Sequence, residues 1–195
     1  VEHCDWSNLP EDDFIQHEDL PYCIGEFVWT GFDYLGEPTP YYTDWPSHSS
    51  LFGIIDLAGL PKDRYYLYRS HWNKDEETLH ILPHWTWNGR EGEVTPVFVY
   101  TNYPSAELFI NGKSQGVRTK DLSVTVHNSG DSLSVANLKR QQRYRLMWMD
   151  TVYEPGTVKV VAYDAEGNAV AQKEIHTAAR PARSPATLLS ACWAT

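Results

Sequence analysis

A chain of 195 residues with 42% hydrophobic content suits one large globular domain or two small ones. Its formal net charge of −10 disfavours a nucleic-acid backbone or an anionic membrane surface, because both need a basic footprint. A neutral ligand such as a glycan fits that charge, and the eight Trp and twelve Tyr suggest ring-lined surfaces beyond what core packing needs.

Residues 1–20 are acidic and read as a loop, with Asp5, Glu11, Asp12, Asp13, Glu18 and Asp19. Residues 22–30 form a short, nearly continuous apolar run closed by Gly31, which predicts a strand covered on both faces. A long Pro/Gly/Tyr loop over about 33–52 follows, of the kind that usually carries function. Pro61 opens a predicted amphipathic helix over 61–72, where Tyr65, Tyr68 and Trp72 recur at helical spacing. Strand, loop and helix make one β/α unit, which alone has too little area to bury a core.

From about residue 78 the pattern changes to short strand-like segments: TLHILPHWTW, TPVFVYT, AELFING, KSQGVR, LSVTV, YRLMWM, TVKVVAYD and AVAQKEI. Turn signals separate them at Asn88-Gly89, Asn111-Gly112, Pro155-Gly156 and Asp164–Gly167. Asn-Gly favours the positive φ angles of tight hairpins, so ELFING-KSQG reads as a hairpin. The spacing predicts a mainly β fold, with an immunoglobulin-like sandwich over 78–177. Residues 178–195 are rich in Ala, Pro and Ser and read as a linker or tail.

No run of about 20 apolar residues is present, so no transmembrane helix is expected. The acidic, polar start does not read as a signal peptide. Cys4, Cys23 and Cys192 form neither a disulfide framework nor a zinc pattern, and free thiols are expected. His80 and His84 stand four apart, but the intervening Ile-Leu-Pro argues against one helix presenting both. No metal and no cofactor is expected.

Residues 25–42, GEFVWTGFDYLGEPTPYY, place exposed-type aromatic rings beside Asp33 and Glu37. Pyranose C–H faces stack on rings and sugar hydroxyls need fixed acceptors, so this composition suits a sugar-binding cleft. Together with SSLFGIIDLAGLPKDRYYLYRSHW, LHILPHWTW, VTPVFVYTNYPSAELFINGKSQG and YEPGTVKVVAYDAEG, the segment resembles the C-terminal part of glycoside hydrolase family 2, the β-galactosidase and β-glucuronidase family. The resemblance spans about 22–177 and is greatest to bacterial β-galactosidase-like members.

It implies that residues 1–77 end a catalytic (β/α)8 barrel, supplying its eighth strand, the following loop and the last helix. The sandwich is then the accessory domain after the barrel. Retaining glycosidases use two carboxyl groups about 5–5.5 Å apart. In this family they come from the fourth and seventh strands, so neither is expected in this chain. The parent enzyme would hydrolyse terminal β-glycosides, its partner being carbohydrate, and would be periplasmic or secreted. The runner-up is a non-catalytic glycan-binding or structural sandwich.

Trp29 lies at the C-terminal end of the predicted eighth strand, and the resemblance gives it the floor of a sugar subsite. Asp33 either accepts sugar hydroxyls or holds the loop as a turn former. Tyr34 and Glu37 shape the rim; Tyr41, Tyr42 and Trp45 do the same or pack the loop. Glu26, three residues before Trp29, is expected to be bonded inside the barrel and not catalytic. Lys62, Asp63 and Arg64 read as a solvated helix start, and Trp85, Trp87 and Trp148 as core or interface rings. A broken barrel leaves apolar faces, so residues 1–75 are expected to self-associate, giving a homo-oligomer, or to pack on the sandwich.

Overall fold

The computed structural model describes residues 8–39, 41, 43–130 and 138–179. Among the described residues, seven strands form two antiparallel sheets. The first holds β1 (Leu79–Leu82), β2 (Val97–Thr101) and β5 (Leu146–Trp148) in the order β1-β2-β5. The second holds β3 (Ser105–Ile110), β4 (Lys113–Thr119), β6 (Thr157–Tyr163) and β7 (Ala169–His176) in the order β4-β3-β6-β7. This three-plus-four sandwich is the mainly β fold expected from the strand spacing. The Asn111-Gly112 hairpin joins β3 to β4 with φ of +49° and +79°, the pair of positive angles that a two-residue turn needs.

Alternation along the strands fills the space between the sheets. Leu79, Ile81, Val97, Val99, Leu146 and Trp148 meet Ala106, Leu108, Ile110, Val158, Val160 and Ala162 there. Trp85 and Trp148 are buried in this core, as expected for core rings. Trp87 packs against its edge, stacked on His84 at 4.2 Å and covered by Arg90 at 5.2 Å.

The three-stranded sheet is covered on its other face as well. Tyr100 from that face joins Phe14 and Ile15 of helix α1 (Pro10–Asp19), Leu67 and Tyr68 of helix α2 (Asp63–Trp72), Val124 and Tyr144 in a second core, with Leu82 packed against it. The molecule is therefore three layers deep: helices, three-stranded sheet, four-stranded sheet. Of the two outcomes expected for residues 1–75, packing on the sandwich is the one realised within the chain.

Several expected elements differ. The acidic N-terminal stretch is helical over 10–19, with Pro10 in its first turn and Glu11, Asp12 and Asp13 complementing the helix dipole. Charge pairing seats it. Arg140 of the third helix, α3 (Leu138–Tyr144), reaches Asp12 at 2.9 Å, Arg143 reaches Glu18 at 2.8 Å and Asp19 at 3.0 Å, and Arg145 pairs with Glu11.

Residues 22–30 form no strand. Ile24 (101% exposed) and Phe27 (102%) face outward, since no neighbouring strand pairs with them among the described residues. LSVTV over 122–126 forms turns, held by Asp121 accepting from the amide and hydroxyl of Ser123 and by Asp19 accepting from the Val126 amide. YRLMWM divides into the end of α3 and β5. Cys23 is a free thiol, while Cys4, Cys192 and nearly all of the 178–195 tail lie outside the described residues.

Candidate functional site

The loop after residue 28 is built on backbone pairing. Phe32 bridges Ile55 in parallel and Leu35 bridges Ser49 antiparallel, so 30–36 lies along 48–55. The Asp33 amide donates to Ile55 O at 2.9 Å, Ile55 N to Gly31 O at 3.0 Å, and Ser50 N to Tyr34 O at 2.9 Å. Ser50 Oγ, fully buried, accepts from the Tyr34 amide at 3.1 Å.

Asp33 is the buried anchor of this pairing. Its Oδ1 accepts from Gly53 N at 2.8 Å and from Lys62 Nζ at 2.7 Å. Lys62 also donates to Leu51 O at 3.2 Å, so the ammonium ties the loop to the start of α2. Lys62 is thus no solvated helix-start residue, because a buried carboxylate requires a cation. Asp63 reaches across to His80 at 2.7 Å but, like Arg64, stays exposed, as expected for a solvated helix start. Of the two readings open for Asp33, loop holding is the one its bonds display.

The Trp29 side chain is 72% exposed, and its ring meets Tyr34 edge-on, with centroids 6.1 Å apart and planes at 86°. The Tyr34 hydroxyl donates to Glu37 Oε2 in a short bond, and Thr39 Oγ1 donates to Glu37 Oε1 at 3.2 Å. The bond to Glu37, ahead of desolvation and the carboxylate's charge, raises the Tyr34 phenol above its ordinary value. Trp29, Tyr34 and Glu37 are therefore one connected group on the loop that the buried Asp33 anchors. Trp45 is exposed and Tyr41 partly so, while Tyr42 lies outside the described residues.

One carboxylate oxygen of Glu26, Oε1, is buried with no hydrogen-bond partner among the described residues. Desolvation, then the charge of Asp13, raises its pKa.

Lys62 and Gly53 are the site residues that sequence reasoning missed. A Cβ on Gly53 would lie 2.1 Å from Asp33 N and 2.6 Å from Ile55 O. Glycine in an apolar run is a signal of close backbone approach, though not of its partner 20 residues away. Among the described residues, no group of three or more His, Cys, Asp or Glu side chains could hold a metal, and no helix is long and apolar enough to cross a membrane.

An exposed indole, a phenol and a carboxylate on a loop beside a β-sandwich have the chemistry of a carbohydrate-handling protein. Residues 92–171 match the family described as a domain of unknown function, DUF4982. The chain is 47% identical over 180 residues, 92% of its length, to beta-galactosidase BoGH2A of Bacteroides ovatus, and 36% identical over 172 residues to a putative beta-glucuronidase of Formosa agariphila. It spans only 18% and 15% of those two proteins. Among solved structures, a beta-glycosidase from Bacteroides vulgatus superposes with a TM-score of 0.58 at 36% identity, covering 77% of this chain and 16% of that one. A glycosyl hydrolase family 2 member from Bacteroides cellulosilyticus gives a TM-score of 0.63 at 26% identity, covering 87% and 21%. These matches place the chain with the C-terminal region of glycoside hydrolase family 2 proteins.

Proposed function

We propose that this chain serves a retaining β-galactosidase-type hydrolase, in which Trp29, Tyr34 and Glu37 wall the sugar subsite and the sandwich buttresses the catalytic barrel. In this reading residues 8–77 are the last strand segment, loop and helix of that barrel, and both catalytic carboxylates lie upstream. The observation that carries it is the exposed Trp29 ring, held edge-on by a tyrosine that Glu37 fixes in turn. A pyranose stacks its C–H face on such an indole while its hydroxyls bond to the carboxylate. The outward Ile24 and Phe27 agree with a segment made to pair with barrel strands.

A neutral galactoside suits the rim better than a uronate. Glu37 brings a carboxyl group to this loop, while Lys62, which could have countered a uronate, is committed to Asp33. The 47% identity to a β-galactosidase, against 36% to a putative β-glucuronidase, supports the same choice.

The test uses aryl β-galactosides. The chain alone should show no turnover, and turnover abolished by Glu26→Gln would overturn the placing of the catalytic acids. In the whole enzyme, Trp29→Ala should lower kcat/KM about 10- to 100-fold, the equivalent of ~1.4–2.8 kcal/mol of lost stacking. An unchanged kcat/KM would remove Trp29 from the subsite.

A further inference from the structure

A second concave site lies in the seam between the helices and the sandwich. A cleft of about 430 Å³ is lined by Glu18 of α1, His71 of α2, Lys74, Asn102, Lys120 and Arg143 of α3, among others. None of the rim residues over 29–39 lines it.

In a chain of net charge −10 this cleft is basic. Arg143 is neutralised locally, bonded to Glu18 at 2.8 Å and Asp19 at 3.0 Å. Glu18 is in turn engaged by the Tyr144 hydroxyl at 2.8 Å. His71 stacks on Phe14 at 4.3 Å, and burial lowers its pKa to about 4, so it is neutral at pH 7.

Lys74 and Lys120 differ from Arg143, for neither has a carboxylate partner among the described residues. Lys120 donates to Thr101 O at 2.5 Å, one bond from an ammonium that has three donors. Burial first, and the charge of Lys74 second, pulls its pKa down to about 8. A buried cation facing a like charge is a costly arrangement that an anion between the two would relieve.

We propose that this cleft binds an oxyanion (a sulfate, phosphate or carboxylate group) between Lys74 and Lys120. The ammonium donors left to Lys120 and the exposed ammonium of Lys74 supply charge-assisted bonds. The volume lies within the ~300–1,000 Å³ of small-molecule sites and exceeds that of a bare ion, so the anion can be carried on a sugar ring. Because α2 and the sandwich both contribute walls, the bound anion ties the layers together.

Thermal unfolding and calorimetry of the 195-residue chain test this, with sodium sulfate against sodium chloride at equal ionic strength and galactose 6-sulfate against galactose. Sulfate and the sugar sulfate should stabilise the chain beyond chloride and galactose. Tighter binding of the sugar sulfate assigns the anion to a saccharide, and equal binding assigns it to the free ion; either ranking supports the site. Lys120→Met should weaken binding about tenfold, and so should Lys74→Ala, whose exposed position leaves folding intact. Equal responses to sulfate and chloride, or an affinity unchanged in Lys74→Ala, would overturn the proposal.

Discussion

Gly53 is the residue on which the loop geometry turns. A methyl group there meets only backbone atoms: Asp33 N at 2.1 Å, Phe32 C at 2.3 Å and Ile55 O at 2.6 Å. No side-chain rotation relieves such a clash, so the paired segments must separate. Separation also breaks the Gly53–Asp33 bond and disturbs the Asp33–Lys62 pair. Gly53→Ala should therefore destabilise the chain by about 3 kcal/mol or more, read by urea unfolding, with altered Trp29 fluorescence. Wild-type stability in that variant would mean that the loop is not packed as described. The glycine was visible in the sequence. Its necessity was not, because the two nearest atoms it must avoid belong to Phe32 and Asp33, some 20 positions away.

Helix α1 shows what pairing does for an element with little apolar surface. Phe14 and Ile15 are buried on it, yet so are Glu11 and Asp12. Glu11 pairs with Arg145, whose guanidinium also lies over the rings of Tyr100 (5.1 Å) and Phe98 (5.7 Å). The pair is incompletely satisfied, since Glu11 Oε2 and Arg145 Nη1 are buried without partners. Glu11→Ala leaves the arginine charge buried and should cost about 3–5 kcal/mol in equilibrium unfolding. Replacing the pair with Glu11→Leu and Arg145→Met together should recover most of that loss, since both buried charges go. A double variant no better than the single one would show that the charges themselves are required. The N-terminal stretch reads as a loop in sequence because helix patterns are sought in hydrophobic periodicity. Here carboxylates take the buried positions, and their partners lie more than 120 residues downstream.

At the scale of the molecule, the three-stranded sheet is a shared middle layer. Its inner residues meet the second sheet, while Tyr100 and Leu82 on the other side meet the helices. Removing residues 1–75 would uncover that outer face along with Val124 and Tyr144. The truncated chain should associate or precipitate, and should unfold less cooperatively than the full chain, as read by size-exclusion chromatography and calorimetry. A monomeric truncation with unchanged thermal stability would show the sandwich to be independent of the helices.

The sequence by itself determined the sandwich. Short segments rich in β-branched and aromatic residues, separated by turn signals such as Asn-Gly, are local properties, and they place β1–β4, β6 and β7 without knowledge of the rest. It also determined α2 and marked out Trp29, Asp33, Tyr34 and Glu37. The same reading misled at 122–126, where a strand-like segment finds no strand to pair with among the described residues and Val124 goes instead to the helix-side core. Residues 22–30 are the counterpart: an apolar run without a ladder, with Ile24 and Phe27 turned outward while Val28 packs on the helix-side core. Only the tertiary structure decided these cases, along with the helicity of α1, the Lys62–Asp33 anchor and the basic cleft. Each depends on which distant group supplies a hydrogen bond, a countercharge or a covering surface, and such partners are set by the fold of the whole chain.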